Sequence, residues 1–238
     1  MKFFKFVLLL ATVLLATGCA GRVEETTNSP SPPVPTPPEA DTLYFMGRAS
    51  VRIETTGGFI IYIDPYAGTQ KDYEKPADLV LVTHQHSDHN KINLTKLKDG
   101  GEVIQCPNDI NSGEIIEASG IQVRAVEAYN DNHAPSGNCG FIITIGDLVI
   151  YHSGDTSTTD EMAELSEYGI DYALLCMDDY YNMGPDEAME VAKLINARHI
   201  IPIHTAASGN YSQSNMDKFT LDNKIALKPG DETILNHD

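Results

Sequence analysis

The sequence predicts an α/β fold, two sheets covered by helices in a layered sandwich, on three observations. Short strand-like runs divided by Gly-containing turns fill the region from about Thr42 to Tyr151. Beyond Asp160, helix and strand patterns alternate, which implies βα units laid onto a sheet. With 238 residues, 42% of them hydrophobic, the chain suffices for one sizeable domain and is too short for two large ones.

The domain is preceded by two segments that do not belong to it. In residues 1–18, Lys2 and Lys5 stand before an apolar run from Phe6 to Ala16, followed by Thr17-Gly18-Cys19, the layout of a secretory signal peptide. That run falls short of the ~20 apolar residues a membrane span needs. Cys19 in this place resembles the lipobox of bacterial lipoproteins, in which it becomes the lipidated first residue, although Ala16 stands where leucine is commonest. An ordinary signal cut nearby would leave Cys19 a plain thiol. Residues 19–41 are rich in Pro, Thr, Ser and Glu, with six of the 13 prolines between Pro30 and Pro38. Such a stretch cannot bury enough surface to fold and reads as an extended tether. The expectation is an exported protein anchored to a membrane by an N-terminal lipid.

Residues 42–238 form the domain. Strands are predicted at Leu43–Met46, Ser50–Glu54, Phe59–Ile63 and Leu79–Val82, a short helix at Lys91–Leu97 closed by Asp99-Gly100-Gly101, then strands at Glu102–Cys106, Ile121–Ala128, Gly140–Ile145 and Leu148–Tyr151, the last two joined at Gly146-Asp147. The alternating part comprises helix Asp160–Tyr168, strand Tyr172–Leu175, helix Asp186–Asn196 with Pro185 at its start, strand His199–Ile203, helix Ser214–Asn223 and a strand near Thr233–Leu235. Cys106, Cys139 and Cys176 lie in or beside apolar segments and read as small buried hydrophobes.

The net charge is −18. Without residues 1–18 two lysines are lost, leaving 14 basic against 34 acidic residues, a net charge of −20. Such a surface repels nucleic acid and anionic headgroups, so a small-molecule substrate is expected and nucleic acid is not. The sequence does not indicate an oligomeric state.

The chemistry centres on Thr83-His84-Gln85-His86-Ser87-Asp88-His89-Asn90, directly after Leu79-Val80-Leu81-Val82. Three of the eight histidines and a carboxylate fall within six residues at a strand's carboxyl end, with no thiolate nearby to favour a closed structural zinc site. Other potential ligands stand just past predicted strands: His133 after Ile121–Ala128, Asp155 after Leu148–Tyr151, and His204 after Ile200–Ile203. Seven donors suffice for two ions if these strand ends converge. His152 competes with His133; His199 and His237 are minor candidates.

The motif His84-x-His86-x-Asp88-His89 resembles the signature of the metallo-β-lactamase superfamily. The segments Ala128-Tyr129-Asn130, His133-Ala134-Pro135, Ile150 to Thr156 and Ile201-Pro202-Ile203-His204 are similar to the subgroup related to ascorbate-6-phosphate lactonase. The resemblance implies an αββα sandwich of two mixed sheets flanked by helices. It further implies one ion held by His84, His86 and His133, a second by Asp88, His89 and His204, and Asp155 bridging them. Asp64 would orient a ligand histidine by accepting its other N–H. The implied activity is hydrolysis of a small ester, lactone, amide or phosphoester by a metal-bridging hydroxide, with Asp88 as the catalytic acid or base. Zinc is the first expectation for the two divalent ions, with manganese or iron as alternatives. A metal-loaded binding lipoprotein without turnover is the alternative. In Asp178-Asp179-Tyr180-Tyr181-Asn182-Met183-Gly184, the groups of Asp179, Tyr180 and Tyr181 are candidates for a substrate rim, or the stretch is a solvated loop before a helix.

Overall fold

The computed structural model describes residues 37–118 and 120–236, so Cys19, the signal peptide, most of the tether and His237 lie outside the described residues. The first sheet is built from β1 (Thr42–Gly47), β2 (Ser50–Glu54), β3 (Ile60–Ile63), β4 (Ala77–Val82) and β5 (Leu97–Gln105). The second takes β6 (Ile115–Ala118), β7 (Ile121–Glu127), β8 (Cys139–Ile145), β9 (Leu148–His152), β10 (Tyr172–Cys176) and, beyond helix α1 (Pro185–Ile195), β11 (His199–Ile203). Helix α2 (Gln213–Lys218) follows, and β12 (Glu232–Ile234) returns to the first sheet. The strand orders are β12-β1-β2-β3-β4-β5 and β11-β10-β9-β8-β7-β6.

Both sheets are mixed. β3, β4 and β5 run parallel, as do β9, β10 and β11, whereas the remaining neighbours are antiparallel. The main core lies between the sheets, where alternate residues such as Leu43, Phe45, Val51, Ile53, Leu79 and Leu81 meet Val123, Phe141, Ile143, Ile150 and Leu174. A second cluster packs α1 and Phe219 against the outer face of β9, β10 and β11 through Tyr151, Leu175, Val191 and Ile195. β4 and β10 are almost wholly apolar because each is covered on both faces. Pro202 is tolerated in β11 because that strand is an edge, where a missing N–H costs no ladder bond.

The predicted architecture is present, with local differences that have physical causes. Lys91–Leu97 makes only a 3₁₀ turn at Ile92–Leu94, since Leu97 already pairs with Ala77 as part of β5. Asp99-Gly100-Gly101 is a bulge inside β5 rather than a helix stop. A Cβ on Gly101 would lie 2.6 Å from the Ala77 carbonyl oxygen, so only glycine allows that approach. Asp160–Tyr168 is a 3₁₀ helix, whose period of three places Met162 and Leu165 on one buried face. α2 starts one residue early, with Ser212 as its cap, and stops at Lys218, five residues before the predicted end. Phe219 turns extended to enter the core, and the Lys224 ammonium covers the carbonyls of Met216 and Phe219. The outer face of the first sheet is covered around Tyr62 and Val80 by Tyr73, Ile92 and Leu94 from 3₁₀ turns, so this layer is thinner than the flanking helices expected.

Parallel strands align their carboxyl ends. β3 runs into Asp64, β4 into Thr83, β9 into Ser153-Gly154-Asp155, and β11 into His204.

Candidate metal centre

The His84–His89 loop is fixed from beneath by Asp64. Its Oδ1 accepts the Thr83 backbone N–H at 2.8 Å, and its Oδ2 accepts the Thr83 hydroxyl at 2.7 Å. The same Oδ2 lies 2.8 Å from His89 Nδ1, which orients the His89 ring and leaves Nε2 facing inward. A tight turn, His89 N–H to the His86 carbonyl at 3.0 Å, brings the three imidazoles of the motif onto one side. His133 is oriented in the same way by an uncharged group: its Nδ1 stands 2.8 Å from Asn130 Oδ1, so Nε2 points to His86 Nδ1 at 3.1 Å. His86 Nδ1 is in turn 3.1 Å from His84 Nε2.

Asp155 is the hub. Its Oδ2 lies 3.4 Å from His89 Nε2, 3.4 Å from His204 Nε2 and 3.5 Å from His133 Nε2. Gly154 makes this placement possible, because it adopts φ +60° and a Cβ there would meet the Cys139 carbonyl at 2.7 Å. Asn138 holds the Asp155 carbonyl from behind. Asp88 Oδ2 is 3.7 Å from His204 Nε2 and 3.9 Å from His89 Nε2. Three groups of donors therefore form, each within 4.8 Å: His84, His86 and His133; His84, His89 and Asp155; Asp88, His89 and His204. All seven predicted ligands come together.

The donor set fits divalent cations. It consists of imidazoles and carboxylates without thiolate, which suits zinc, manganese or iron. His89 Nε2, His204 Nε2 and Asp155 Oδ1 are buried and have no hydrogen-bond partner, and such atoms need a cationic or proton-bearing neighbour. Burial acts to lower the pKa of His204, but Asp155, Asp178 and Asp88 outweigh it and raise it to about 9. For His89, Asp155 and Asp64 likewise overcome burial and push it well above its ordinary value. Burial depresses His84 to about 3 and lowers His133. Asp155 is held well below the usual carboxylate range by His204 and His89, against its burial.

His152 does not reach the cluster. Its Nε2 faces the Ala49 carbonyl at 3.0 Å, tying β9 to the β1–β2 turn, and its Nδ1 accepts the Gly154 N–H at 3.2 Å. His199 stacks on Tyr172 at a centroid distance of 4.9 Å. Of the rim candidates, Tyr181 lines a cleft of about 560 Å³ with Tyr66, Ser87, Asn132, Ser208 and the ligand side chains. Tyr180 is turned to an adjoining polar cleft of about 400 Å³. Asp179 is directed away: its side chain is 54% exposed and lies 3.6 Å from Lys218 Nζ. A left-handed backbone at Asp179, φ 63°, turns the chain there, and it is the preceding Asp178 that faces inward.

Two residues of the centre were not singled out as site residues from the sequence. The Oδ2 of Asp178 is 3.0 Å from His204 Nδ1, the counterpart of Asp64 behind His89. Its Oδ1 accepts the N–H groups of Tyr180, Tyr181 and Asn182, so one carboxylate shapes the loop and orients a ligand. Arg48, in the β1–β2 turn, reaches Asp88 Oδ2 with Nε at 2.7 Å and Nη2 at 2.5 Å. The signal for Asp178 was its place directly past β10; for Arg48 there was none local to the motif.

Comparison with known proteins agrees with the geometry. Residues 42–204 match the family model described as "Beta-lactamase superfamily domain". The UPF0173 metal-dependent hydrolase of Thermococcus kodakarensis is 34% identical over 221 residues, covering 80% of this chain and 98% of that protein. That of Herpetosiphon aurantiacus is 31% identical over 232 residues, covering 80% and 96%. The structure of Igni18, a metallo hydrolase from Ignicoccus hospitalis, superposes with a TM-score of 0.64 at 23% identity, covering 82% of this chain and 97% of that one, a likeness of fold. The chain belongs to the metallo-β-lactamase superfamily and, within it, to the UPF0173 family of metal-dependent hydrolases.

Proposed function

We propose that this hydrolase is dinuclear and that it cleaves a small ester, lactone, amide or phosphoester with a hydroxide held between two divalent ions, zinc first among them. In this reading His84, His86 and His133 would hold one ion, Asp88, His89 and His204 would hold the other, and Asp155 would serve both. The observation that carries it is the position of Asp155 Oδ2, within 3.5 Å of imidazole nitrogens on three separate segments, as a shared anion between two cations requires. When bound, the ions supply a water activated near neutral pH and polarisation of the attacked bond.

The protein's own side chains do the rest. Burial opposes ionisation of Asp88, but the hydrogen bond from His204, the charge of His89 and the Arg48 guanidinium hold it below the usual carboxylate range. It therefore stays ionised and is a weak base in this state, suited to accept a hydrogen bond that orients the attacking water; a proton-shuttling role would rest on the family position of Asp88 alone. The cleft beside it, with Ser87, Asn132, Tyr181 and Ser208, offers hydroxyl and amide groups to a polar substrate of modest size. A lactone or phosphoester suits that lining, as does the similarity to the ascorbate-6-phosphate lactonase subgroup.

We further propose export and anchoring through lipidated Cys19, with residues 19–41 as the tether; Cys19→Ala should release the protein from the membrane fraction. The hydrolase reading is tested by elemental analysis of protein purified without added metal, followed by a screen of lactone, ester, amide and phosphodiester substrates. Two ions per chain with turnover that disappears in Asp155→Ala is the expected result. Stoichiometric metal with no turnover on any substrate would return the reading to a metal-binding protein, and one ion per chain would refute the dinuclear form.

A further inference from the structure

The geometry points to Arg48 as the residue that sets the affinity of the second ion, making it weaker and more exchangeable than the first; this rests on the dinuclear reading above. Arg48 is joined to two ligands of that ion at once. Its carbonyl accepts the His204 backbone N–H at 2.6 Å, and its guanidinium grips Asp88. Nη1 donates to the carbonyls of Ala206 and Gly209, both at 3.0 Å, so the guanidinium also fastens the loop after β11. Backbone strain marks the same junction: Arg48 has φ 53° and His204 φ 42°, both left-handed in non-glycine residues.

The oxygen that matters is Asp88 Oδ2. It faces His204 Nε2 and His89 Nε2, and it already accepts the Nε–H of Arg48 at 2.7 Å with Nη2 ion-paired 2.5 Å away. A carboxylate oxygen offers about two lone-pair directions, and one of those on Oδ2 is already taken by the guanidinium, so an ion coordinated through Oδ2 would have to share that oxygen with Arg48. Arginine cannot relieve the conflict by losing its proton. A fixed positive charge thus stays beside an incoming divalent cation, and like charges at such range in a partly buried site oppose each other strongly. Arg48 lines the main cleft together with His86 and His133, but its guanidinium is bonded to Asp88 and to the Ala206 and Gly209 carbonyls and not to those histidines. No side chain of the first ion's proposed set is bonded to Arg48.

The test is calorimetric binding of Zn²⁺ to the metal-stripped full chain. The wild type should show two steps, the second at least about tenfold weaker, and His204→Ala should abolish that second step alone. Arg48→Gln, which removes the charge and keeps a polar side chain, should tighten the second step about tenfold or more and leave the first unchanged, an internal check that the site is folded. Arg48→Lys, which keeps a charge, should leave the second step weak. An unchanged or weakened second step in Arg48→Gln would overturn the proposal. If Arg48→Gln does not fold, the wild type decides, since two steps of equal affinity also overturn it. Should His204→Ala remove no step, the failure lies in the dinuclear reading.

Discussion

On the dinuclear reading proposed above, Asp178→Asn should weaken the second ion far more than its single atom change implies. In the wild type Asp178 Oδ2 lies 3.0 Å from His204 Nδ1 and makes the tautomer with a proton on Nδ1 the favoured one, so that Nε2 is free to coordinate. An asparagine that keeps its oxygen toward the N–H groups of Tyr180, Tyr181 and Asn182 must present its NH₂ to His204 Nδ1. Two donors then face each other. Relief requires His204 to move its proton to Nε2, the atom needed by the ion. Loss of a supporting partner behind a metal-bound histidine typically costs 10–100-fold in metal affinity, about 1.4–2.7 kcal/mol. The assay is Zn²⁺ binding to metal-stripped protein, with Asp179→Asn as the matched control one residue away. Because Asp179 is turned toward Lys218 and half exposed, its change should alter affinity by less than about 0.5 kcal/mol. Asp178→Asn with both ions bound as tightly as in the wild type would refute the tautomer argument.

His86→Ala should cut turnover by orders of magnitude yet leave the melting temperature of metal-free protein within about 2 °C, because His86 is exposed; full activity would sink its assignment as a ligand. Binding of the second ion should tighten as pH rises. His204, raised to about 9, carries a proton below that pH that the ion must displace, so proton release measured in buffers of different ionisation enthalpy should fall away as pH passes through about 9. Gly154→Ala should destabilise the fold by about 1–3 kcal/mol in denaturant unfolding, since its φ of +60° and the Cys139 carbonyl 2.7 Å from a new Cβ leave the methyl no room; an unchanged midpoint would contradict that.

The sandwich was legible because strand burial follows rules written locally: period-two alternation in β1, β2 and β7, and continuous apolar runs in β4 and β10. Element boundaries were less so, and for tertiary reasons. Phe219 ends α2 by entering the core, and Gly101 serves a close approach to Ala77 from a neighbouring strand, neither of which is visible from the residues alongside. Within the centre, the candidate donors were readable because each follows a strand, and a strand end is a position that sequence can locate. Of the two readings open for Asp179, rim or solvated loop, its exposed side chain fits the second, because a single left-handed residue reverses which of two adjacent carboxylates faces inward.

Arg48 shows why composition is a poor guide to a local field. The chain carries 34 acidic residues, and a net charge of −18 implies a surface that draws cations everywhere. At the centre the balance is finer. Asp64 and Asp178 lie behind His89 and His204, Asp88 and Asp155 lie in front, and all four are buried or partly so. Negative charge concentrated to that degree would hold both ions indiscriminately and release neither readily. One guanidinium, delivered from a turn 40 residues before Asp88 in sequence, is bonded to a single carboxylate and to none of His84, His86 and His133. Its effect depends on where the β1–β2 turn meets the loop after β11, a contact between the two sheets. Only the assembled fold makes that contact, so no reading of the motif alone could have placed Arg48 beside Asp88.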